Sequence, residues 1–134
     1  MIVVDASAVL EVLLQTPAAP RIADRLFDPD ETLHAPELLD LEVLQVLRRY
    51  WYSGEIGDER GRQALDDLED LGVERYPHGP LLPRVWELRG NVTAYDATYL
   101  ALAEALDAPL LTCDGRLARS VMPDTEIELF PSSG

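Results

Sequence analysis

Short apolar segments that are typical of buried strands alternate along this chain with segments whose apolar residues recur at helical spacing. Two of these strands, residues 2–4 and 109–112, are apolar enough to be buried on both faces. Strands of that kind belong to parallel sheets that helices cover on both sides. The pattern therefore predicts an α/β fold, and the length of 134 residues fits a single domain over residues 1–134.

Acidic residues follow both of these buried strands. Asp5 comes directly after the first strand, and Asp114 is the first acidic residue after the second. Reactive sites of parallel sheets lie beyond the carboxyl ends of the strands, so the two side chains are predicted to lie at one edge. The alternatives are a turn or cap role for Asp5 and a turn at Asp114, whose neighbour is glycine, before a short helix over residues 117–121.

Glu42 lies in a predicted long helix over residues 36–52, which Pro36 opens. Its neighbours three and four positions away are largely apolar: Leu38, Leu39, Gln45 and Val46. A buried glutamate without a partner costs at least ~2 kcal/mol. Glu42 is therefore predicted to bind a metal ion or, alternatively, to pair with an arginine such as Arg48 or Arg49.

Asp96 lies near the start of another predicted helix, over residues 94–106, which Thr93 caps. Because it follows Thr93 by three residues, Asp96 is either the second member of a capping box or a site residue. Carboxylates that converge repel one another, and a chain usually collects them to hold a hard divalent cation. The four acids therefore indicate a metal-dependent hydrolase.

Two hydroxyl residues adjoin these acids. Ser7 is predicted to be the N-cap of the first helix or a hydroxyl contact to the site. Thr112 either donates its hydroxyl to a carboxylate or phosphate or is simply a β-branched strand residue.

The charge balance limits how the chain can bind nucleic acid. The sequence has 25 acidic and 11 basic residues, all of the basic ones arginine, for a formal net charge of -14. Such a surface repels a phosphate backbone, so nucleic-acid chemistry would depend on bound cations and a few local arginines. The same acidity would attract a basic protein partner.

The cellular location follows from features that the sequence lacks. No stretch approaches the roughly 18 apolar residues of a membrane span. The lone Cys113 has no partner for a disulfide or a CxxC zinc pair. These observations predict a cytoplasmic protein without a membrane segment.

Five motifs in order resemble the PIN-domain ribonucleases, and most of all the VapC toxins of bacterial and archaeal toxin-antitoxin pairs. The motifs are VDASA at 4–8, APEL at 35–38, LEV at 41–43, YDATYLALA at 95–103 and LTCDGRL at 111–117. The resemblance implies a three-layer α/β/α sandwich whose parallel sheet has about four to five strands. It implies an endoribonuclease that depends on Mg²⁺ or Mn²⁺ and inhibits translation and growth, with catalytic metal ligands Asp5, Glu42, Asp96 and Asp114.

The resemblance also implies partners and supporting residues. The partners are a cognate antitoxin with a basic tail, an RNA substrate and a second copy of the chain in a homodimer. Gln45 stands where many relatives have asparagine, and it is expected to support the site together with Ser7 and Thr112. Apart from the resemblance, Arg116 and Arg119 lie just past Asp114 and are the nearest candidates to bind the substrate phosphate; the alternative is that they are solvated surface residues of a short helix.

The main alternative is a catalytically inactive PIN-like module that binds protein. A receiver-like signalling domain needs a lysine, and the chain has none. A phosphatase of the haloacid-dehalogenase type needs aspartate two residues after Asp5, where this chain has Ser7.

Overall fold

The computed structural model describes residues 1–120 and 125–132. The strands are β1 (Ile2–Val4), β2 (Leu33–Pro36), β3 (Glu74–Tyr76), β4 (Leu110–Thr112) and β5 (Ile127–Leu129). The helices are α1 (Ala6–Leu13), α2 (Ala19–Leu26), α3 (Leu38–Tyr52), α4 (Asp58–Asp70), α5 (Leu82–Glu87), α6 (Ala94–Leu106) and α7 (Gly115–Ala118). A 3₁₀ turn, Gly79–Leu81, precedes α5.

The five strands form one sheet in the order β3-β2-β1-β4-β5, and each neighbouring pair is parallel. Successive side chains of a strand point to opposite faces, and β1 divides the core in this way. Ile2 and Val4 pack with α1 to α4, whereas Val3 packs with α5 and α6. All three side chains are fully buried. The structure thus confirms the predicted three-layer α/β/α sandwich with a parallel sheet.

The start of α3 differs from the prediction. Pro36 is the last residue of β2, where it pairs with Tyr76 of β3, so it does not open the helix. The helix begins instead at Leu38, whose backbone N–H donates to Nε2 of His78 at 2.9 Å. A side chain 40 residues away therefore binds a backbone amide at the start of this helix.

The helix predicted over residues 117–121 begins earlier than expected, at Gly115, because Asp114 is its N-cap. It also ends earlier than predicted, at Ala118, where Arg119 is the C-cap; the predicted last residue, Val121, lies outside the described residues. In the part of the chain that the structure describes, no helix is long and apolar enough to cross a membrane.

The strand order reverses between β1 and β4. The chain runs outward from β1 through β2 to β3 and then returns to the other side of β1 for β4 and β5. Ligand sites of parallel sheets lie at such a switch point, beyond the carboxyl ends of the strands. The residues that follow β1 and β4, Asp5 and Asp114, lie at this edge.

Candidate active site

Asp5 is the N-cap of α1, one of the roles that its position allowed, so Ser7 is not the cap and instead makes the hydroxyl contact that was its alternative role. Its Oδ1 accepts the backbone N–H of Ala8 at 3.1 Å and the hydroxyl of Ser7 at 2.7 Å, and its Oδ2 accepts the hydroxyl of Thr112 at 2.5 Å. Burial nevertheless raises the pKa of Asp5 to about 6. The three hydrogen bonds lower this pKa only in part, and the nearby charge of Asp114 raises it further.

Ser7 and Thr112 also connect the ends of the two central strands. The backbone N–H of Cys113 donates to Oγ of Ser7 at 2.9 Å, and that of Asp114 donates to Oγ1 of Thr112 at 2.9 Å. Each hydroxyl therefore contacts the Asp5 carboxylate and the chain that follows β4. This arrangement fixes the direction of the Asp5 carboxylate relative to Asp114.

Glu42 lies on α3, partly buried, and takes its hydrogen bond from a residue that the sequence analysis did not single out. The hydroxyl of Tyr99, on α6, donates to Oε1 of Glu42 at 2.6 Å. Burial raises the pKa of Glu42, the bond from Tyr99 lowers it, and the charge of Asp96 raises it. Among the described residues, Glu42 forms no ion pair with an arginine. Tyr99 follows Asp96 by three residues on the same helical face, which is the sequence signal that could have identified it.

Asp96 and Asp114 both lie next to the guanidinium of Arg116. Thr93 caps α6, as predicted, by accepting the backbone N–H of Asp96 at 3.1 Å. Asp114 caps α7 by accepting the N–H of Arg116 at 2.9 Å. The guanidinium of Arg116 lies 3.7 Å from Oδ2 of Asp114 and 3.9 Å from Oδ2 of Asp96. Burial raises the pKa of Asp96, and the charge of Asp114 raises it further.

The structure therefore brings the four predicted acids to one edge of the sheet, where the charge of Asp114 raises the pKa of Asp5 and Asp96, and the charge of Asp96 raises that of Glu42. In the described ranges, no three His, Cys, Asp or Glu side chains meet in a ready-made metal cage. Each carboxylate is instead turned toward its own local donor: the Ser7 and Thr112 hydroxyls, the Tyr99 hydroxyl, the amides of α7 or the Arg116 guanidinium. The donor set fits a hard divalent cation, because all four groups are carboxylates, whose oxygen atoms such cations prefer as ligands.

A groove of about 810 Å³ opens beside this edge, and Glu42 and Asp114 line it. Gln45 is exposed on α3 and lines the same groove, but within the described residues it forms no hydrogen bond with Glu42. Arg49, considered above only as an ion-pair partner, also lines the groove. Burial raises the pKa of the Cys113 thiol to about 12, so this cysteine is unreactive at neutral pH.

Arg116 and Arg119 lie on the other side of Asp96. Both are exposed, and both line a second groove, of about 580 Å³, together with Asp96. The structure thus places the two predicted phosphate-binding residues at the carboxylate edge.

This fold agrees with comparisons to known proteins. The model of the PIN domain family matches residues 2–120, and the chain belongs to that family. It is 44% identical to ribonuclease VapC12 of Mycobacterium tuberculosis, over 96% of this chain and 98% of the relative. It is 48% identical to ribonuclease VapC1 of the same species, over 95% of this chain and 96% of the relative.

A solved structure has a similar fold. It is the crystal structure of VapBC2 from Rickettsia felis bound to a DNA fragment from their promoter, with a TM-score of 0.72 at 16% identity. The alignment covers 97% of this chain and 99% of that one.

Proposed function

We propose that this protein is a divalent-metal-dependent endoribonuclease and the toxin of a toxin-antitoxin pair, which hydrolyses RNA phosphodiester bonds and so inhibits translation and growth in the cytoplasm. The observation that carries the proposal is the convergence of Asp5, Glu42, Asp96 and Asp114, from four separate segments, at one edge of the sheet. The relatives named ribonuclease VapC, which match over nearly their full length, support the reaction class.

The four carboxylates would hold Mg²⁺ or Mn²⁺ and form the catalytic site. Such an ion activates a water molecule and stabilises the negative charge that develops on the phosphate oxygens. The chain itself supplies orientation: Ser7 and Thr112 hold the Asp5 carboxylate, and Tyr99 holds that of Glu42. Arg116 would contact the substrate phosphate, and Gln45 lines the groove through which RNA would reach the carboxylates.

RNA cleavage with and without a chelator tests this proposal. We expect purified, partner-free protein to cut a panel of single-stranded and looped RNAs in Mn²⁺ and to leave them intact in chelator. Asp5→Asn should abolish cleavage, whereas Asp24→Asn, the same change at an exposed position on α2, should retain it. Cleavage that persists in chelator would refute the metal mechanism. If the folded protein cuts no RNA in either condition, the result would favour the alternative, a catalytically inactive module that binds protein.

We also propose an antitoxin partner with a basic tail. The formal charge of -14 favours a basic segment, and several exposed apolar side chains on α3 and α4 would be covered by a protein: Leu41, Leu44, Trp51, Tyr52 and Leu65. The similarity to a VapBC2 structure supports the same partner class. The product of an adjacent small reading frame should co-purify with the chain and inhibit cleavage. The homodimer rests on the resemblance alone, and light scattering of the isolated protein tests it.

A further inference from the structure

We propose that the groove beside Asp96 is a subsite for an RNA phosphate next to the one that is cleaved, and that Arg89 is its anchor. The inference rests on the proposed RNA hydrolysis, and it adds a residue that the sequence motifs do not contain. The groove is lined by Arg89, Asn91, Thr93, Asp96, Arg116 and Arg119, among others. Three of the 11 arginines therefore meet in one groove of a chain whose net charge is -14.

Two of the three arginines in this groove have no carboxylate partner among the described residues, as is also true of several arginines elsewhere, such as Arg21 and Arg48. Arg25, Arg75 and Arg84 each form an ion pair with a carboxylate at 3.1 Å or less. Arg89 and Arg119 form no ion pair with any carboxylate of residues 1–120 and 125–132. The pairs made by Arg116 are long, at 3.7 and 3.9 Å, and its side chain is 76% exposed, so solvent screens them. Three guanidinium groups are thus available to an anion.

Arg89 is held in place by its own helix end. Its guanidinium lies over the ring of Trp86, with 4.3 Å between Cζ and the ring centroid, and its Nη1 donates to the carbonyl of Trp86 at 2.9 Å. Neither contact neutralises the charge, and most of its N–H donors stay available for a phosphate. Because Trp86 already restricts the side chain, less conformational entropy is lost when Arg89 binds a ligand.

The position of the groove explains why the ligand would be a substrate phosphate. The carboxylates at the edge repel the RNA backbone wherever no cation screens them, so affinity has to come from positive groups just outside the reacting position. Asp96 and Arg116 belong both to the carboxylate edge and to the groove. A strand bound across that edge would therefore bring a neighbouring phosphate over Arg89 and Arg119. An acidic segment of a partner protein could use the same donors, and the experiment separates these ligands.

Binding is tested without catalysis by titrating ¹⁵N-labelled protein in chelator with a short oligouridylate and following the Nε–H signals of the arginines by NMR. We expect the Nε–H signals of Arg89, Arg116 and Arg119 to shift and to saturate. This method also detects weak binding, at millimolar oligouridylate. Arg89→Gln should weaken the affinity by about three- to tenfold, the range expected for one lost charge-assisted contact at a solvent-exposed site. Trp86→Leu should weaken it less, because the charge remains.

Arg21→Gln is the matched control, since Arg21 is exposed on α2, outside both grooves. We expect it to bind the oligonucleotide as the wild type does. The absence of shifts at the groove, or equal affinities for Arg89→Gln and Arg21→Gln, would overturn the subsite. Shifts produced by polyglutamate but not by the oligouridylate would assign the groove to an acidic protein segment and would also overturn it.

Cleavage kinetics in Mn²⁺ provide the second measurement. Because Arg89 lies outside the reacting position, Arg89→Gln should raise KM and leave kcat unchanged. A fall in kcat with constant KM would indicate that Arg89 acts in the chemical step, and this result would contradict the proposal. Wild-type protein that cuts no RNA would refute the proposed function, and the NMR titration would still decide whether the groove binds phosphate.

Discussion

At the scale of single residues, Asp5 serves both the fold and the site, and the two roles conflict. Asp5 is the N-cap of α1 and accepts three hydrogen bonds. These bonds favour its ionised carboxylate, which stabilises the helix. Burial still raises its pKa from the ordinary 3.8 to about 6. A folded-state pKa above the unfolded value stabilises the fold at low pH, and this contribution is lost as the pH rises through about 6.

Asp5→Asn should avoid this loss of stability in metal-free protein, because asparagine does not ionise. We expect the free energy of unfolding of the variant, relative to the wild type, to increase by up to about 3 kcal/mol between about pH 4 and about pH 7. Urea unfolding at several pH values in chelator measures the difference. Asp24→Asn should show no such trend, because its carboxylate is exposed. If the difference in the free energy of unfolding between Asp5→Asn and the wild type stays constant with pH, burial does not raise the pKa of Asp5.

Tyr99→Phe tests the hydrogen bond that holds Glu42. The hydroxyl of Tyr99 lowers the pKa of Glu42, so its removal should raise that pKa and leave the carboxylate free to rotate. If Glu42 must be ionised for cleavage, the acidic limb of the pH-rate profile should move to higher pH. Tyr95→Phe is the control, since Tyr95 is exposed on the same helix. Identical pH-rate profiles for Tyr99→Phe and the wild type would show that cleavage does not depend on the ionisation of Glu42.

At the scale of elements, the hydroxyl of Thr112 joins the ends of β1 and β4. It donates to Asp5 and accepts from the backbone of Asp114, and the side chain is completely buried. Thr112→Val keeps the shape but leaves these partners without their hydrogen bonds, at a cost of about 1–3 kcal/mol. We also expect slower cleavage, because two carboxylates of the site lose a common contact.

Thr98→Val is the matched control for that prediction. Thr98 is also buried, but its hydroxyl donates to the carbonyl of Ala94 within its own helix, where no site residue depends on it. Unfolding and cleavage assays on both variants measure the two effects. Equal losses of activity would indicate that Thr112 acts only through general stability.

Local sequence signals predicted the elements better than the contacts between them. The apolar runs at β1 and β4 and the Thr93 cap were sufficient to predict two strands and the start of α6, because these depend on neighbouring residues. The spacing of Tyr99 from Asp96 places both on one helical face, but the contact of Tyr99 with Glu42 and that of His78 with the start of α3 could not be predicted in this way. Both are contacts between residues far apart in the chain, and only the packing of the sheet against its helices brings them together.

The site shows the same division. The four acids were found from their position after strands or within helices, but the contacts of Ser7 and Thr112 across the sheet could not be predicted from neighbouring residues. The hydroxyl of Thr112 donates to Asp5, and the hydroxyl of Ser7 accepts the amide of Cys113. The stacking of Arg89 on Trp86 is local, three residues apart, yet its value to the site follows only from the position of Asp96 and Arg116.

At the scale of the whole molecule, the strand order brings negatively charged side chains together at one edge of the sheet. The reversal between β1 and β4 brings Asp5 and Asp114 together, and α3 and α6 add Glu42 and Asp96 to the same edge. The rest of the molecule is also acidic, with a net charge of -14, so few cationic groups are available to offset the cluster. A bound divalent cation would relieve this repulsion in the folded state alone.

Mn²⁺ should therefore stabilise the protein by mass action, because the unfolded chain does not assemble the site. A concentration about 100 times the dissociation constant adds about 2.7 kcal/mol to the free energy of unfolding, which thermal denaturation would detect as a rise of several degrees in Tm. Asp5→Asn removes one charge of the cluster and should lose most of this response, whereas Asp24→Asn should keep it. The series has to be run at constant ionic strength with NaCl, since general screening also stabilises a chain of this charge. Equal Tm shifts in the wild type and in Asp5→Asn would mean that the cation acts on the acidic surface as a whole, and the four carboxylates would then not form one metal site.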